Sequence, residues 1–173
     1  MRKLIPFFLC ILLLIGCQKS NNPLDRVSKL MDTDVSDYQV IKYYDSHGGF
    51  HGDGQTIIIC KLTEEQALRL EEDTKQNIFR KELPFSDPID LALYGGTYVR
   101  GGVEWGRSAM FMEDDKDPLV PKIENGFYLF RDRHGESNDP CDASNLFNRG
   151  SYNFDLTVFD ADSNTLYYLV MDT

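Results

Sequence analysis

The clearest alternation of apolar and polar residues lies at 152–159, where aromatic or aliphatic side chains occupy every second position. This pattern predicts a strand with one buried face and one solvated face. A turn-forming run, 160–164, and a second apolar run, 165–171, come next. Together the two apolar runs predict a β-hairpin.

Apolar and polar patterning also predicts strands and helices on both sides of the loop 46–54, which has four glycines in nine residues. The order of elements predicts an α+β fold, with a single antiparallel sheet of about five strands and one or two helices on one face. A small closed barrel is the alternative architecture. The predicted strands are 38–45, 55–62, 126–132, 152–159 and 165–171, with shorter ones near 97–100 and 108–112, and the predicted helices begin near 23 and 63.

The N-terminal residues have a pattern of their own. Arg2 and Lys3 precede an apolar run, 4–15, which suits the hydrophobic region of a signal peptide and is shorter than the roughly 20 residues that span a bilayer as a helix. The run leads into Leu14-Ile15-Gly16-Cys17, which resembles the lipobox of bacterial lipoprotein precursors. An ordinary secretory signal, in which Cys17 is incidental, is the alternative.

The lipobox resemblance implies that lipid is attached to the Cys17 sulfur and that cleavage before this residue makes it the mature N-terminus. Residues 1–16 are then a signal peptide, 17–22 the lipidated cysteine and a linker, and 23–173 a single globular domain. The expected location is the extracytoplasmic face of a bacterial cell membrane, inner or outer. Two or more acyl chains give a stable anchor, and a five-residue linker, 18–22, reaches at most roughly 17 Å.

The charge balance limits the partners of the mature chain. Removal of 1–16 takes away Arg2 and Lys3, which leaves 16 basic residues against 28 acidic ones and a net charge of −12. Such a domain is repelled by phosphates and anionic headgroups, so we expect no nucleic acid partner and no basic face that docks on a membrane.

The mature domain also loosely resembles uncharacterised small bacterial lipoproteins, a resemblance that implies no activity.

Two cysteines, Cys60 and Cys141, remain once Cys10 leaves with the leader and Cys17 is lipidated. In an extracytoplasmic compartment they can form a disulfide, which closes a long loop and contributes about 4 kcal/mol in the chain-entropy model. Alternatively, Cys60 is a small buried hydrophobe inside the apolar run 57–60. The sequence leaves both readings open.

The histidines are candidate metal ligands. His47, His51 and Asp53 share the glycine-rich loop, and His134 follows a predicted strand. Zinc catalytic sites take three nitrogen or oxygen ligands and keep one position open, so these residues are a candidate zinc site. The alternative is a solvated hairpin loop, since the motif lacks the glutamate and the helix of the familiar zinc proteases.

A calcium site is the other cofactor candidate. Residues 160–164 match the first five positions of an EF-hand loop, but Thr165 stands where glycine is required and Met171 where the bidentate glutamate is required. A turn between two strands explains this run better. The acidic run 113–117 is a second weak candidate. No other cofactor is predicted.

The glycine- and aromatic-rich run 94–106 is the candidate ligand surface. Tyr94, Tyr98, Arg100 and Trp105 are its candidate contact residues, since Tyr, Trp and Arg are enriched at recognition sites. The alternative is a pair of tight turns whose aromatic rings lie in the core.

Two functions follow from these observations. The leading hypothesis is a membrane-anchored lipoprotein whose domain binds a protein or small ligand without catalysis, because no complete catalytic motif occurs in the sequence. The alternative is a metal-dependent hydrolase that uses His47, His51 and His134.

Overall fold

The structure is a computed structural model that describes residues 22–48, 52–114 and 116–173. Its described residues form three helices and ten strands. In chain order these are α1 (Leu24–Met31), β1 (Gln39–Asp45), β2 (Gly54–Lys61), α2 (Glu64–Thr74), β3 (Arg80–Glu82), α3 (Asp87–Tyr94), β4 (Gly96–Arg100), β5 (Val103–Arg107), β6 (Met112–Glu113), β7 (Asp117–Pro118), β8 (Gly126–Asp132), β9 (Asn153–Asp160) and β10 (Thr165–Asp172).

Six strands form the central antiparallel sheet, in the order β1-β2-β10-β9-β8-β3. The other four form two small sheets, β4–β5 and β6–β7. The predicted α+β class is therefore confirmed, and the predicted count of about five strands is close to the six observed. The predicted β9–β10 hairpin is also confirmed, with Thr165 opposite Asp160 at its closed end.

The four inner strands of the central sheet, β2, β10, β9 and β8, are buried on both faces, which corrects the prediction that the helices lie on one face only. Helices α1 and α2 pack on one face, and α3 packs on the other together with the segment around Phe111 and Phe147. Strand β9 is buried along nearly its whole length, so the predicted solvated face of this strand is wrong. Its polar residues Asp155 and Thr157 lie under the α1 side of the fold.

Local signals position the two helices of the first face. Asn22 accepts a hydrogen bond from the Leu24 N–H at 3.0 Å, at the start of α1. Helix α2 begins with a capping box, in which Thr63 and Gln66 bond each other's backbone N–H groups. The buried side of α1 includes Leu24, Val27 and Met31, since residues spaced three to four apart lie on one helix face.

Candidate functional site

The candidate ligand surface forms the β4–β5 hairpin. Its two-residue turn is Gly101-Gly102, with φ of +61° and +80°, the left-handed conformations that a tight hairpin turn of this type requires. Tyr98 lies opposite Trp105, and Arg100 lies opposite Val103. Directly opposed residues share a face of an antiparallel pair, so three of the predicted contact residues, Tyr98, Arg100 and Trp105, lie on one face of the hairpin.

The hairpin exposes three apolar side chains, two near its turn and one, Trp105, in the middle of β5. Val99 is 66% exposed, Val103 is 56% exposed and Trp105, the only tryptophan of the chain, is 52% exposed. A Cβ atom added at Gly101 or Gly102 would meet no atom within 4 Å. The tip therefore projects away from the rest of the domain.

The base of the hairpin is packed against the core. The Tyr98 ring lies 5.5 Å from the Phe147 ring. The Arg107 guanidinium lies over the same Phe147 ring at 4.3 Å and donates a hydrogen bond to the Tyr152 hydroxyl at 3.3 Å. These contacts hold the hairpin in place while leaving Trp105 free to contact a partner.

Tyr94 is separate from the other predicted contact residues. It ends α3, donates its hydroxyl proton to the Pro121 carbonyl at 2.9 Å, and has the Lys122 ammonium 3.4 Å from its ring centroid. Burial raises the pKa of the Tyr94 hydroxyl to about 12. The contacts of Tyr94 are thus within the domain. The structure brings together the other three of the four predicted contact residues.

A cavity of about 510 Å³ adjoins the hairpin. Thr97, Tyr98 and Val99 line one side of it, and Asp87 and Asp90 of α3 line another. Lys122 forms an exposed ion pair with Asp90 at 3.3 Å. The cavity therefore combines an aromatic wall with two carboxylates, a combination that favours cationic groups.

A second polar site, around His47, lies at the end of the central sheet. Its Nδ1 is 2.7 Å from Asp45 Oδ1, and its Nε2 is 3.1 Å from Asp172 Oδ2. Because carboxylates only accept, both contacts are hydrogen bonds when the ring carries a proton on each nitrogen. A Cβ at Gly54 would lie 2.8 Å from the His47 backbone nitrogen, so this close approach requires glycine.

The network continues into the core through Arg133. Its guanidinium donates to Asp172 at 2.7 Å and forms an ion pair with Asp155 at 2.9 Å. Tyr168 donates its hydroxyl proton to Asp155 at 3.1 Å, and Arg26 of α1 lies 3.8 Å from the same carboxylate. We call this set the His47 network: Arg26, Asp45, His47, Arg133, Asp155, Tyr168 and Asp172.

The network shifts the pKa values of its members. Burial alone would raise the pKa of Asp45, but hydrogen bonds from the His47 backbone and ring outweigh it and lower that pKa. Burial opposes the charge of Arg133, but Asp155 and Asp172 raise its pKa. Burial and the neighbouring Asp155 raise the pKa of Tyr168. These shifts favour the ionised forms of Asp45 and Arg133 and the neutral form of Tyr168.

The arrangement of the His47 network favours a structural role. A histidine that activates a nucleophile accepts a proton from it with one nitrogen and contacts a carboxylate with the other. Here both nitrogens of His47 contact carboxylates, and the Thr56 hydroxyl, 3.2 Å away, lies on the nitrogen that faces Asp45. The network joins the glycine-rich loop to β10, which is the last strand in the sequence.

Sequence reasoning missed this network apart from His47. Asp155 sits among alternating apolar residues and was interpreted as solvated, while Arg133 and Asp172 occur at strand ends. His47 and Asp172 are 125 residues apart. The single local signal was a carboxylate in the middle of a strand, which needs a charged partner if that strand is covered on both faces.

The predicted metal ligands do not form a described cluster. His134 accepts a hydrogen bond from the Glu136 N–H at Nδ1 and lies 2.8 Å from Ser151 at Nε2. Asp53 is exposed, and His51 lies outside the described residues. Within 22–48, 52–114 and 116–173, no group of three His, Cys, Asp or Glu residues is arranged to hold a metal ion.

Two polar side chains beside His134, Arg149 and Asp132, also have each other as partners within the domain. Arg149 donates two hydrogen bonds to Asp132, at 2.6 and 2.8 Å, and both side chains are almost fully buried. In the tautomer that accepts the Glu136 N–H at Nδ1, the His134 ring carries its proton on Nε2 and donates it to Ser151. That is the opposite of what a base for a serine nucleophile needs.

Cys60 and Cys141 are both free, so the disulfide that the sequence leaves open is not formed in the structure. Cys60 lies in the core on the α1 side of the sheet, whereas Cys141 lies near Tyr128 and Phe130, whose side chains belong to the other face. Burial raises the pKa of the Cys60 thiol to about 12. Cys60 is therefore the small buried hydrophobe of the alternative interpretation.

The calcium candidates have other partners in the structure. In the β9–β10 turn, Asp160 accepts from the Asp162 N–H and the Ser163 hydroxyl, and Asp162 accepts from Asn125. In the run 113–117, Glu113 pairs with Lys42 of β1 at 3.1 Å, and position 115 lies outside the described residues. Turn chemistry accounts for the first run, as the alternative interpretation proposed.

The comparisons with known proteins add no identification. No protein-family model matches the chain, and no curated protein or solved structure matches it. Among the described residues, no helix is both long and apolar enough to cross a membrane. The predicted leader and Cys17 lie outside the described residues.

Proposed function

We propose that this chain is a lipid-anchored extracytoplasmic protein that binds a partner protein through the β4–β5 hairpin, without catalysis. The observation that carries this proposal is the exposure of three apolar side chains of the hairpin, Val103 and Trp105 on one face and Val99 on the other, next to a base that is fixed by Phe147. Apolar side chains at the tip of a projecting hairpin contribute little to folding. They gain free energy when a partner covers them.

The residue types of the hairpin support protein recognition. Trp, Tyr and Arg are the residues most often responsible for binding energy in interfaces, and Arg100 and Trp105 share one face of the hairpin with Tyr98, which packs on Phe147. The rigid base supports the same conclusion, because a preorganised surface loses less conformational entropy on binding.

The proposed anchor leaves this surface accessible. The linker leads to α1, which packs on the same face of the sheet as α2, whereas Tyr98 packs toward the opposite face. The linker reaches at most roughly 17 Å. The domain is thicker than this, because its sheet has a layer of about 10 Å on each face, so the linker keeps the α1 side near the bilayer. The hairpin then faces away from the membrane.

Charge defines the chemistry of the partner. The proposed mature chain carries a net charge of −12, and the cavity beside the hairpin has Asp87 and Asp90 in its wall. The partner surface is therefore expected to combine an apolar patch with basic side chains, and nucleic acid remains excluded by the same charge.

Site-specific photo-crosslinking in intact cells tests the partner. The variant Trp105→p-benzoylphenylalanine is expected to crosslink to one extracytoplasmic protein, while the same change at Leu68, which is exposed on α2, does not. Equal crosslinking at both positions, or none at position 105, contradicts the hairpin as the binding surface.

Affinity measurement with the purified crosslinked protein gives the energetic test. Trp105→Ala is expected to cost about 2 kcal/mol of binding, roughly a thirtyfold rise in Kd, and to change the free energy of unfolding by less than about 0.5 kcal/mol. Leu68→Ala is the matched control and leaves Kd unchanged. If Trp105→Ala destabilises the domain while Kd is unchanged, the tryptophan is structural and the proposal is wrong.

Metabolic labelling with an alkyne fatty acid tests the anchor. We expect label on the wild-type protein and none on Cys17→Ser, with the wild type in the membrane fraction. Label that persists in Cys17→Ser, or unlabelled protein in the soluble fraction, contradicts the anchor and leaves the hairpin proposal to its own test.

A further inference from the structure

The cavity beside the β4–β5 hairpin has a negative charge that its own walls do not compensate. Asp87 and Asp90 lie three residues apart on α3, so their carboxylates are neighbours on one side of the helix. Lys122 pairs with Asp90 at 3.3 Å. Within the part of the chain that the structure describes, Asp87 has no ion pair, and no Lys, Arg or His lines the cavity. A cation in this cavity would therefore offset the repulsion between the two carboxylates.

The other walls of the cavity suit the apolar part of an organic cation. Pro88, Leu91, Tyr98 and Phe147 all line it. The Tyr98 and Phe147 rings lie 5.5 Å apart, and aromatic faces attract cations. The cavity volume of about 510 Å³ lies in the range of small-ligand sites, about 300–1,000 Å³. A long cationic side chain contacts both kinds of wall, because its stem is apolar and its end is charged.

One cation of the domain already occupies a site of this composition. The Lys122 ammonium lies 3.4 Å from the Tyr94 ring centroid and 3.3 Å from the Asp90 carboxylate. Asp87 and Tyr98 are a second carboxylate and a second ring at the same cavity. Among the described residues, no cation pairs with Asp87 or lies over the Tyr98 ring. This second pair of groups is available to a cation from outside the domain.

We propose that this cavity binds a guanidinium group, which an arginine side chain of the hairpin's partner protein supplies. A guanidinium suits the site better than an ammonium, because its planar fork donates two parallel hydrogen bonds to one carboxylate and stacks on an aromatic face. The source of the arginine rests on the proposed function. Thr97, Tyr98 and Val99 of the hairpin line the cavity, so a protein that covers the hairpin also reaches this site.

Titration with a small guanidinium compound tests the cavity without the partner. The probe is Nα-acetyl-arginine amide, added to the full chain in a non-ionic detergent and followed by saturation-transfer NMR. We expect a Kd on the order of 1 mM, because one side chain supplies one ion pair and one cation–π contact. Nα-acetyl-citrulline amide has nearly the same shape without the charge, and it is expected to bind about tenfold more weakly. Equal binding of the two compounds overturns the proposal, and this comparison needs no variant.

Substitution of one carboxylate locates the probe. Asp87→Asn keeps the size of the side chain, removes its charge, and is expected to raise the Kd of the arginine compound about tenfold. Glu65→Gln is the matched control, because it makes the same change in net charge on α2, at the opposite face of the sheet. It is expected to leave the Kd unchanged. Equal Kd values for the two variants, with both folded by circular dichroism, overturn the cavity as the binding site.

The protein that crosslinks at Trp105 tests the source of the guanidinium. Asp87→Asn is expected to raise the Kd for this protein about tenfold, and Glu65→Gln leaves it unchanged. If Asp87→Asn weakens the arginine compound alone, the cavity binds a free guanidinium compound and the partner as its source is wrong. Probe binding without a crosslinked protein supports the cavity and contradicts the proposed function. A crosslinked protein without probe binding contradicts the cavity alone.

Discussion

Two antiparallel hairpins of the domain have opposite surroundings. Hairpin β9–β10 lies in the middle of the central sheet, and most of its residues are buried on both faces. Hairpin β4–β5 forms a sheet of its own, and most of its residues are exposed. The difference separates two uses of apolar side chains: in β9–β10 they stabilise the fold, and in β4–β5 they remain available to a partner.

The comparison has an energetic meaning. Leu156 and Leu169 are 0% exposed, and full burial of such a side chain contributes about 1.5–3 kcal/mol. Val99 and Val103 gain little of this stabilisation because the domain leaves them in water. Substitutions at equivalent residue types should therefore affect stability in one hairpin and binding in the other.

The largest expected effect tests the carboxylates of the two hairpins. Asp155→Ala in β9 leaves Arg133 with Asp172 as its one close carboxylate and leaves the buried Tyr168 hydroxyl without its acceptor, and it is expected to lower the free energy of unfolding by about 3–5 kcal/mol. Glu104→Ala in the exposed β5 should change it by less than about 0.5 kcal/mol. Chemical denaturation of both variants in one buffer measures the difference. Coincident unfolding transitions would contradict the assigned roles.

Truncation of aliphatic side chains gives the next effect. Leu169→Ala is expected to lower the free energy of unfolding by about 2–5 kcal/mol, because it removes core contacts and leaves a cavity. Val103→Ala at the exposed tip should lower it by less than about 0.5 kcal/mol. A loss above 1 kcal/mol for Val103→Ala would mean that the tip is part of the core, and the contrast between the hairpins would fail. Thermal unfolding of the two variants beside the wild type checks this.

Acid pH gives the smallest effect and probes the polar end of the central sheet. Hydrogen bonds from His47 lower the pKa of Asp45, so the folded state favours the ionised carboxylate. This stabilisation is present above the unfolded pKa of about 3.9 and is lost as the pH falls through the lower folded value. The stability difference between the wild type and Asp45→Asn should therefore shrink between about pH 5 and pH 3, measured by urea unfolding. A difference that stays constant over this range would contradict the effect.

Local signals account for the parts of the fold that were predicted correctly. The β9–β10 hairpin follows from alternation and a turn-forming run, and the start of α2 follows from a capping box of Thr63 and Gln66. Helix α3 was missed, because Pro88 and the nearby glycines obscured its short apolar pattern. That one omission led to the wrong prediction of a sheet covered on a single face.

The candidate sites also differ in how far local sequence features predict them. Tyr98, Arg100 and Trp105 were predicted from residue type, and the structure places these three on one face of a hairpin. The hairpin itself was not predicted, because the strand expected near 108–112 is β5 at Val103–Arg107. The His47 network depends on contacts between α1, β1, β8, β9 and β10. Such contacts depend on topology, and the pattern of a single segment does not contain them.

The position of β10 has a consequence for how the molecule is made. This strand lies between β2 and β9, so it joins the β1–β2 pair to the block formed by β9, β8 and β3. Synthesis proceeds from the N-terminus. The edges of β2 and β9 that pair with β10 therefore stay unpaired until residues 165–172 have been synthesised. A polypeptide halted before this point would hold two half-sheets with open apolar edges, which are substrates for chaperones and proteases.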